Sequence, residues 1–112
     1  MPHLILTHSF GDNPLVADAL ATLSQTAQAQ GFKLDRIKAY AIRAENAHLG
    51  GQPDAALAHL TFRLMNKPDR SREAVMAWLD ELVAVLQNAL PDGTTLTAEA
   101  AFLPDMYRSV AA

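Results

Sequence analysis

Residues 72–90 limit most strongly what this chain can fold into. Their apolar side chains recur about every three to four positions, which is the spacing of a helix with one wide apolar face. The side chains on that face are Val75, Trp78, Leu79, Leu82, Val83, Leu86 and Leu90. Because so wide a face must be covered by another layer of structure, the sequence predicts a helix that packs on a sheet.

A second amphipathic stretch, residues 14–30, lies in the first half of the chain. Asn13 is the expected N-cap, and Pro14 suits the first helical position, where its missing N–H has no helical partner to lose. Gly31 is a natural residue to end the helix. One face of this predicted helix carries Val16, Leu20, Leu23 and Ala27.

Four short stretches have the composition and alternation of β-strands. They are residues 1–8, 37–44, 55–64 and 94–102. The third has a clean period of two, with Ala58, Leu60, Phe62 and Leu64 on one face. Residues 45–49 are compatible with either strand or loop, and residues 50–54 have the composition of a turn.

The predicted order of elements is therefore β-α-β-β-α-β, an α+β fold in which residues 1–112 form one domain. Each half is a βαβ unit, so its two strands should be parallel and joined by a right-handed crossover. The result is a four-stranded mixed sheet with two helices on one face. The other face would lack cover, which predicts association with further copies of the chain.

Composition excludes several classes of protein. A net charge of −3 argues against a nucleic-acid surface, and the absence of cysteine removes disulfides and thiol catalysis. There is no apolar run long enough to span a membrane and no secretory leader, so we expect a cytoplasmic protein.

Pro2 is the residue with the most distinctive chemistry. Removal of Met1 would leave a prolyl amine, a secondary amine whose direction is set by the strand alone. An ordinary α-amino group has a pKa of roughly 8, and nearby cations or apolar walls favour its uncharged form. An uncharged amine at the start of a strand is a suitable general base. Proline is also tolerated at the first position of any strand, so the dipeptide alone leaves both interpretations open.

The chain resembles the tautomerase superfamily and, within it, the 5-carboxymethyl-2-hydroxymuconate isomerase family. The resemblance covers nearly the whole length and rests on Met1-Pro2-His3, His59-Leu60-Thr61 and residues 71–75, together with the order of elements. It implies that Pro2 is the base of a cofactor-independent isomerase acting on a small carboxylate substrate. It also implies a homotrimer.

The family holds substrate carboxylates with two arginines, whose planar fork suits a carboxylate better than an ammonium does. Counted without gaps from the strands, these positions fall on Lys38 and Lys67. Arg43 and Arg70 lie close enough in sequence to substitute if the register shifts. These four cations are therefore the candidate substrate-binding residues, and the change from arginine to lysine is the main departure from the family pattern.

The histidines favour no metal site. His3, His8, His48 and His59 lack the close spacing of metal ligands, and we expect His3 and His59 to have structural or subunit-contact roles. Two other functions stay open beside the isomerase. One is a ferredoxin-like module that binds or senses a small ligand without proline chemistry, and the other is a tautomerase relative without efficient activity.

Overall fold

The computed structural model describes residues 2–112, and its elements follow the order predicted from the sequence. Met1, with which the predicted first strand begins, lies outside the described residues. The elements are β1 (His3–His8), α1 (Asn13–Ala29), a 3-10 turn (Leu34–Arg36), β2 (Lys38–Arg43), β3 (Leu57–Leu64), α2 (Arg72–Ala89) and β4 (Thr95–Phe102). The 3-10 turn was not predicted, and residues 45–49 form loop rather than strand.

The four strands form one mixed sheet in the order β2-β1-β3-β4. β1 pairs with β2 in parallel, β3 pairs with β4 in parallel, and β1 and β3 are antiparallel. The prediction of two βαβ halves in a four-stranded mixed sheet is therefore confirmed.

Hydrophobic burial holds the two helices against one face of the sheet. Alternate residues of β1 and β3 point into this layer, and Leu4, Leu6, Leu60 and Phe62 are fully buried there. From the helices come the buried side chains Ala19, Leu23, Ala27, Leu82 and Leu86. The apolar faces predicted for both helices and for β3 are thus the faces that form the core.

α1 begins at Asn13, the residue that was predicted as its N-cap. Asp12 is the N-cap, since its backbone is extended (φ −90°, ψ 95°) and its Oδ1 accepts a hydrogen bond from Leu15 N at 3.1 Å. The prediction of Asn13 as N-cap is wrong because Asn13 already belongs to the helix. Ser71 caps α2 by accepting a hydrogen bond from Ala74 N at 3.1 Å; Asp69 and Ser71 were the two residues whose side chains could have capped this helix from the sequence.

The opposite face of the sheet, called here the open face, carries His3, Ile5 and Thr7 of β1 and the residues in register with them. Within residues 2–112 neither helix packs on this face. Tyr40 is 43% exposed and Ile42 is 53% exposed as a result. In the same part of the chain, neither helix has the length and apolar content needed to cross a membrane.

Candidate active site at the start of β1

Pro2 is one of the residues that line a pocket with a volume of about 380 Å³. Its side chain is fully buried, and its carbonyl oxygen accepts a hydrogen bond from the backbone N–H of Lys38 at 3.0 Å. The remaining lining residues come from the segment between α1 and β2 and from the segment between β3 and α2: Gly31, Phe32, Lys33, Arg36, Met65, Lys67 and Arg70.

The sheet topology explains why these two segments meet at Pro2. β2 is parallel to β1, so the chain enters β2 beside the start of β1, where His3 pairs with Lys38. β3 is antiparallel to β1, so the chain leaves β3 at the same end, where His3 pairs with Arg63. The loops before β2 and after β3 therefore flank whatever precedes β1.

Arg70 is held in place at the pocket wall. Its Nη1 donates a hydrogen bond to the carbonyl oxygen of Met65 at 2.8 Å, and its backbone N–H donates to Lys67 O at 3.0 Å. Its guanidinium lies 5.3 Å from the centre of the Phe32 ring, at a distance suited to a cation–π contact. Phe32 itself packs edge-on against Phe62 and Trp78, so the arginine rests on a rigid aromatic wall.

The four cations singled out in the sequence lie in three different places. Lys67 and Arg70 line the pocket together with Pro2. Lys38 comes two residues after Arg36 of the pocket, but its side chain lies on the open face. There its Nζ is 3.4 Å from the hydroxyl of Tyr107. Arg43 pairs with His8 at the far end of β1, about 20 Å from Pro2 at the usual rise per residue of a strand.

Two cations of the pocket, Lys33 and Arg36, were missed by the sequence reasoning. A signal for them exists in the sequence. Both follow Gly31, which ends α1 with a positive φ of 104°, and both precede β2. In a parallel βαβ unit the residues at this point must adjoin the start of the first strand, and therefore Pro2.

The cations of the pocket form no close ion pairs with the described part of the chain. Within residues 2–112 no carboxylate lies within 4.0 Å of a lysine or arginine nitrogen, and the ion pair found in this range joins His59 to Glu99 at 2.9 Å. Four cations without a close carboxylate partner line a pocket of about 380 Å³, so they can attract anions and favour negative charge that develops on a bound molecule.

The histidines lie apart from one another. His3 and His8 are on β1, while His59 on β3 bonds to Thr97 and Glu99 on the open face. His48 is in the exposed loop after β2. In the part of the chain that the structure describes, no three His, Asp or Glu side chains come close enough together to hold a metal ion.

Comparison with known proteins identifies the fold. No protein-family model matches the sequence, and no curated protein matches it either. Among solved structures, a 5-carboxymethyl-2-hydroxymuconate isomerase from Deinococcus radiodurans R1 aligns with a TM-score of 0.80 and 24% identity over 96% of this chain and 88% of that chain. A probable enzyme from Aspergillus fumigatus gives a TM-score of 0.78 and 17% identity over 97% and 80% of the two chains.

A fused 4-OT symmetric trimer gives a TM-score of 0.71 and 22% identity over 97% of this chain and 91% of that chain. These neighbours include members of the tautomerase superfamily. The chain therefore has the tautomerase-like fold that its sequence resemblance implied.

Proposed function

We propose that this protein is a cofactor-independent isomerase of the tautomerase type, in which Pro2 moves a proton on an unsaturated keto or enol acid. The observation that carries this proposal is the position of Pro2. It lines the same pocket as Lys33, Arg36, Lys67 and Arg70, and within residues 2–112 none of these four cations has a carboxylate oxygen within 4.0 Å. The resemblance to 5-carboxymethyl-2-hydroxymuconate isomerase suggests a substrate of that kind, from the breakdown of an aromatic acid such as homoprotocatechuate.

The proposed base works only after removal of Met1, because a peptide-bonded proline nitrogen cannot accept a proton. Burial and neighbouring cations both favour the uncharged form of an amine, and Pro2 has both. The uncharged amine takes a proton from a carbon or an enol oxygen of the substrate. It returns that proton at another position of the conjugated system.

The cations of the pocket would bind the anionic groups of the substrate. Lys67 and Arg70 come from the segment after β3, and Lys33 and Arg36 come from the segment before β2, so the pocket has four cations that can hold anionic groups of a substrate. Their charge also favours the dienolate oxygen as it becomes negative. Arg43 would reach such a pocket only from another copy of the chain.

We further propose that the chain assembles into a homotrimer through the open face. The fused 4-OT neighbour is a symmetric trimer, and Tyr40 and Ile42 of β2 are exposed on the face of the sheet that the helices do not cover. Apolar side chains grouped on one face of a sheet are typical of a surface that another subunit buries.

The decisive experiment starts with the intact mass of the purified protein, which should correspond to the chain without Met1. Replacement of Pro2 by Ala keeps a small residue after Met1 but changes the amine. The amine of an N-terminal alanine is primary and can still accept a proton, so we expect kcat/KM on a hydroxymuconate or phenylenolpyruvate-type substrate to fall, but by less than the roughly 10²- to 10⁴-fold contribution of a general base.

Pro53→Ala, in an exposed loop, is the matched control and should leave turnover unchanged. A retained Met1, or equal turnover in the Pro2→Ala variant, would refute the proposed base. Carboxylate binding without turnover would instead favour the ferredoxin-like ligand-binding module.

A further inference from the structure

The end of α1 determines where Phe32 lies. Gly31 has a positive φ of 104°, and its N–H donates to the carbonyl oxygen of Gln28 at 3.0 Å. The N–H of Phe32 donates to the carbonyl oxygen of Ala27 at 3.2 Å. These two bonds form a Schellman motif, in which the residue after the glycine often packs an apolar side chain against the helix. Phe32 accordingly lies in the core with 8% exposure, and it also lines the Pro2 pocket.

Two further aromatic rings pack against the Phe32 ring. Trp78 lies edge-on to it with 5.2 Å between the ring centres, and Phe62 lies edge-on to it with 6.2 Å. The side-chain amide of Gln30 donates to the carbonyl oxygen of Trp78 at 3.0 Å, which ties the end of α1 to α2. Because close packing leaves a ring few alternative positions, Phe32 is a rigid part of the pocket.

The Phe32 ring in turn holds Arg70, whose guanidinium carbon lies 5.3 Å from the ring centre. Nη1 of Arg70 donates to the carbonyl oxygen of Met65 at 2.8 Å, and this is the one hydrogen bond of the guanidinium within residues 2–112. The N–H groups of Nε and Nη2 are therefore left for a bound molecule, and a carboxylate suits their fork. A guanidinium already held by a ring and a carbonyl loses less freedom on binding than one in water.

The other three cations of the pocket have no such support. Within residues 2–112 the side chains of Lys33, Arg36 and Lys67 make no hydrogen bond and lie over no aromatic ring. They supply positive charge, whereas Arg70 also supplies a fixed direction.

We propose that Phe32 is a positioning residue, which holds Arg70 in the orientation that binds a carboxylate group of the substrate. This rests on the proposed function, since it takes the Pro2 pocket as the substrate site. Because Phe32 acts through the guanidinium, its contribution to binding depends on the presence of Arg70.

The test measures binding of fumarate, a planar dicarboxylate, by calorimetry and by the fluorescence of Trp78, the single tryptophan of the chain. Phe32→Leu keeps an apolar side chain but removes the ring, and it should weaken binding about three- to tenfold through loss of the cation–π contact. Arg70→Met should weaken binding about tenfold or more, since charge-assisted hydrogen bonds are lost. In the Arg70→Met protein, Phe32→Leu should have no further effect, because the group that it positions is gone.

Three controls separate positioning from a purely structural role. Phe32→Tyr keeps the ring, so it should bind fumarate within about twofold of the unmodified protein. Phe10→Leu makes the same exchange at a ring that stacks on His8 at the far end of β1, and it should leave binding unchanged. If Phe32→Leu does not fold by circular dichroism, Phe32→Met serves in its place.

The proposal is overturned if loss of the Phe32 ring weakens fumarate binding by the same factor with and without Arg70, since the ring would then only fill space. It is also overturned if neither single variant changes binding, or if the unmodified protein binds no fumarate. Failure of the Pro2 base would be seen in turnover and not in this cycle, because fumarate binding requires no proton transfer. The two failures are therefore distinguishable.

Discussion

Two histidine side chains on β1 should make the stability of the fold depend on pH. Burial lowers the pKa of both His3 and His8, with help from Lys38 at His3 and from Arg43 at His8. The Nδ1 atom of His8 also accepts a hydrogen bond from Phe10 N at 3.1 Å, which requires that nitrogen to be unprotonated.

The unfolded chain therefore binds protons more readily than the folded one below the ordinary histidine pKa of 6.5. The stability contributed by the neutral imidazoles is complete above that pH and is lost as the pH falls through the lowered folded-state values. We expect the free energy of unfolding, measured with urea, to decrease from pH 7.5 to pH 5.

The matched control is His48→Gln in the exposed loop, which should leave this pH dependence unchanged. The double variant His3→Gln, His8→Gln should flatten the curve over the same range. An equally steep curve in the double variant would assign the acid sensitivity to other groups.

Single residues of the candidate site could be found from the sequence only in part. Pro2 was singled out by its chemistry and by the resemblance, whereas the position of Lys33 and Arg36 between Gly31 and β2 is a signal that was not used. Counting along β2 leads to Lys38 but does not reveal which face it occupies. Since successive strand residues point to opposite faces, an offset of one residue changes the site that a side chain joins.

At the level of helices and strands, periodicity was a reliable guide, whereas the N-cap of α1 was predicted one residue too late. The alternation in β3 and the apolar faces of α1 and α2 reflect burial against one core, so they are visible in the sequence. The cap of α1 depends on the backbone angles of a single residue, and both Asp12 and Asn13 have side chains able to cap. The sequence alone could not distinguish these two positions.

The cap of α1 can be tested with this pair of neighbours. Asp12→Ala removes the acceptor of the Leu15 N–H bond and should lower the free energy of unfolding by about 1 kcal/mol. Asn13→Ala, one position into the helix, should change it by no more than a few tenths of a kcal/mol. Urea unfolding of both variants measures the difference, and equal effects would contradict the assignment of Asp12 as the cap.

The chain contains two βαβ units, and the cavities beside their first strands differ in charge. The start of β3 is the counterpart of the start of β1, and a cavity of about 310 Å³ lies beside it, lined by Leu57, His59 and Thr97 among others. No lysine or arginine is among the residues that line it. The Pro2 pocket is lined by four cations, so anionic substrates should bind there in preference to this second cavity.

The open face should determine the size of the assembly. Light scattering after size exclusion should give about three times the 12.1 kDa mass of one chain. Ile42→Glu places a charge where a neighbouring subunit would bury an apolar side chain, so it should shift the protein toward the monomer without changing its circular dichroism. Met76→Glu, with 43% exposure on α2, is the control on the helical side and should leave the mass unchanged. A monomeric unmodified protein at micromolar concentration would instead mean that the open face stays in contact with water. The Pro2 pocket would then have to function with the cations of its own chain.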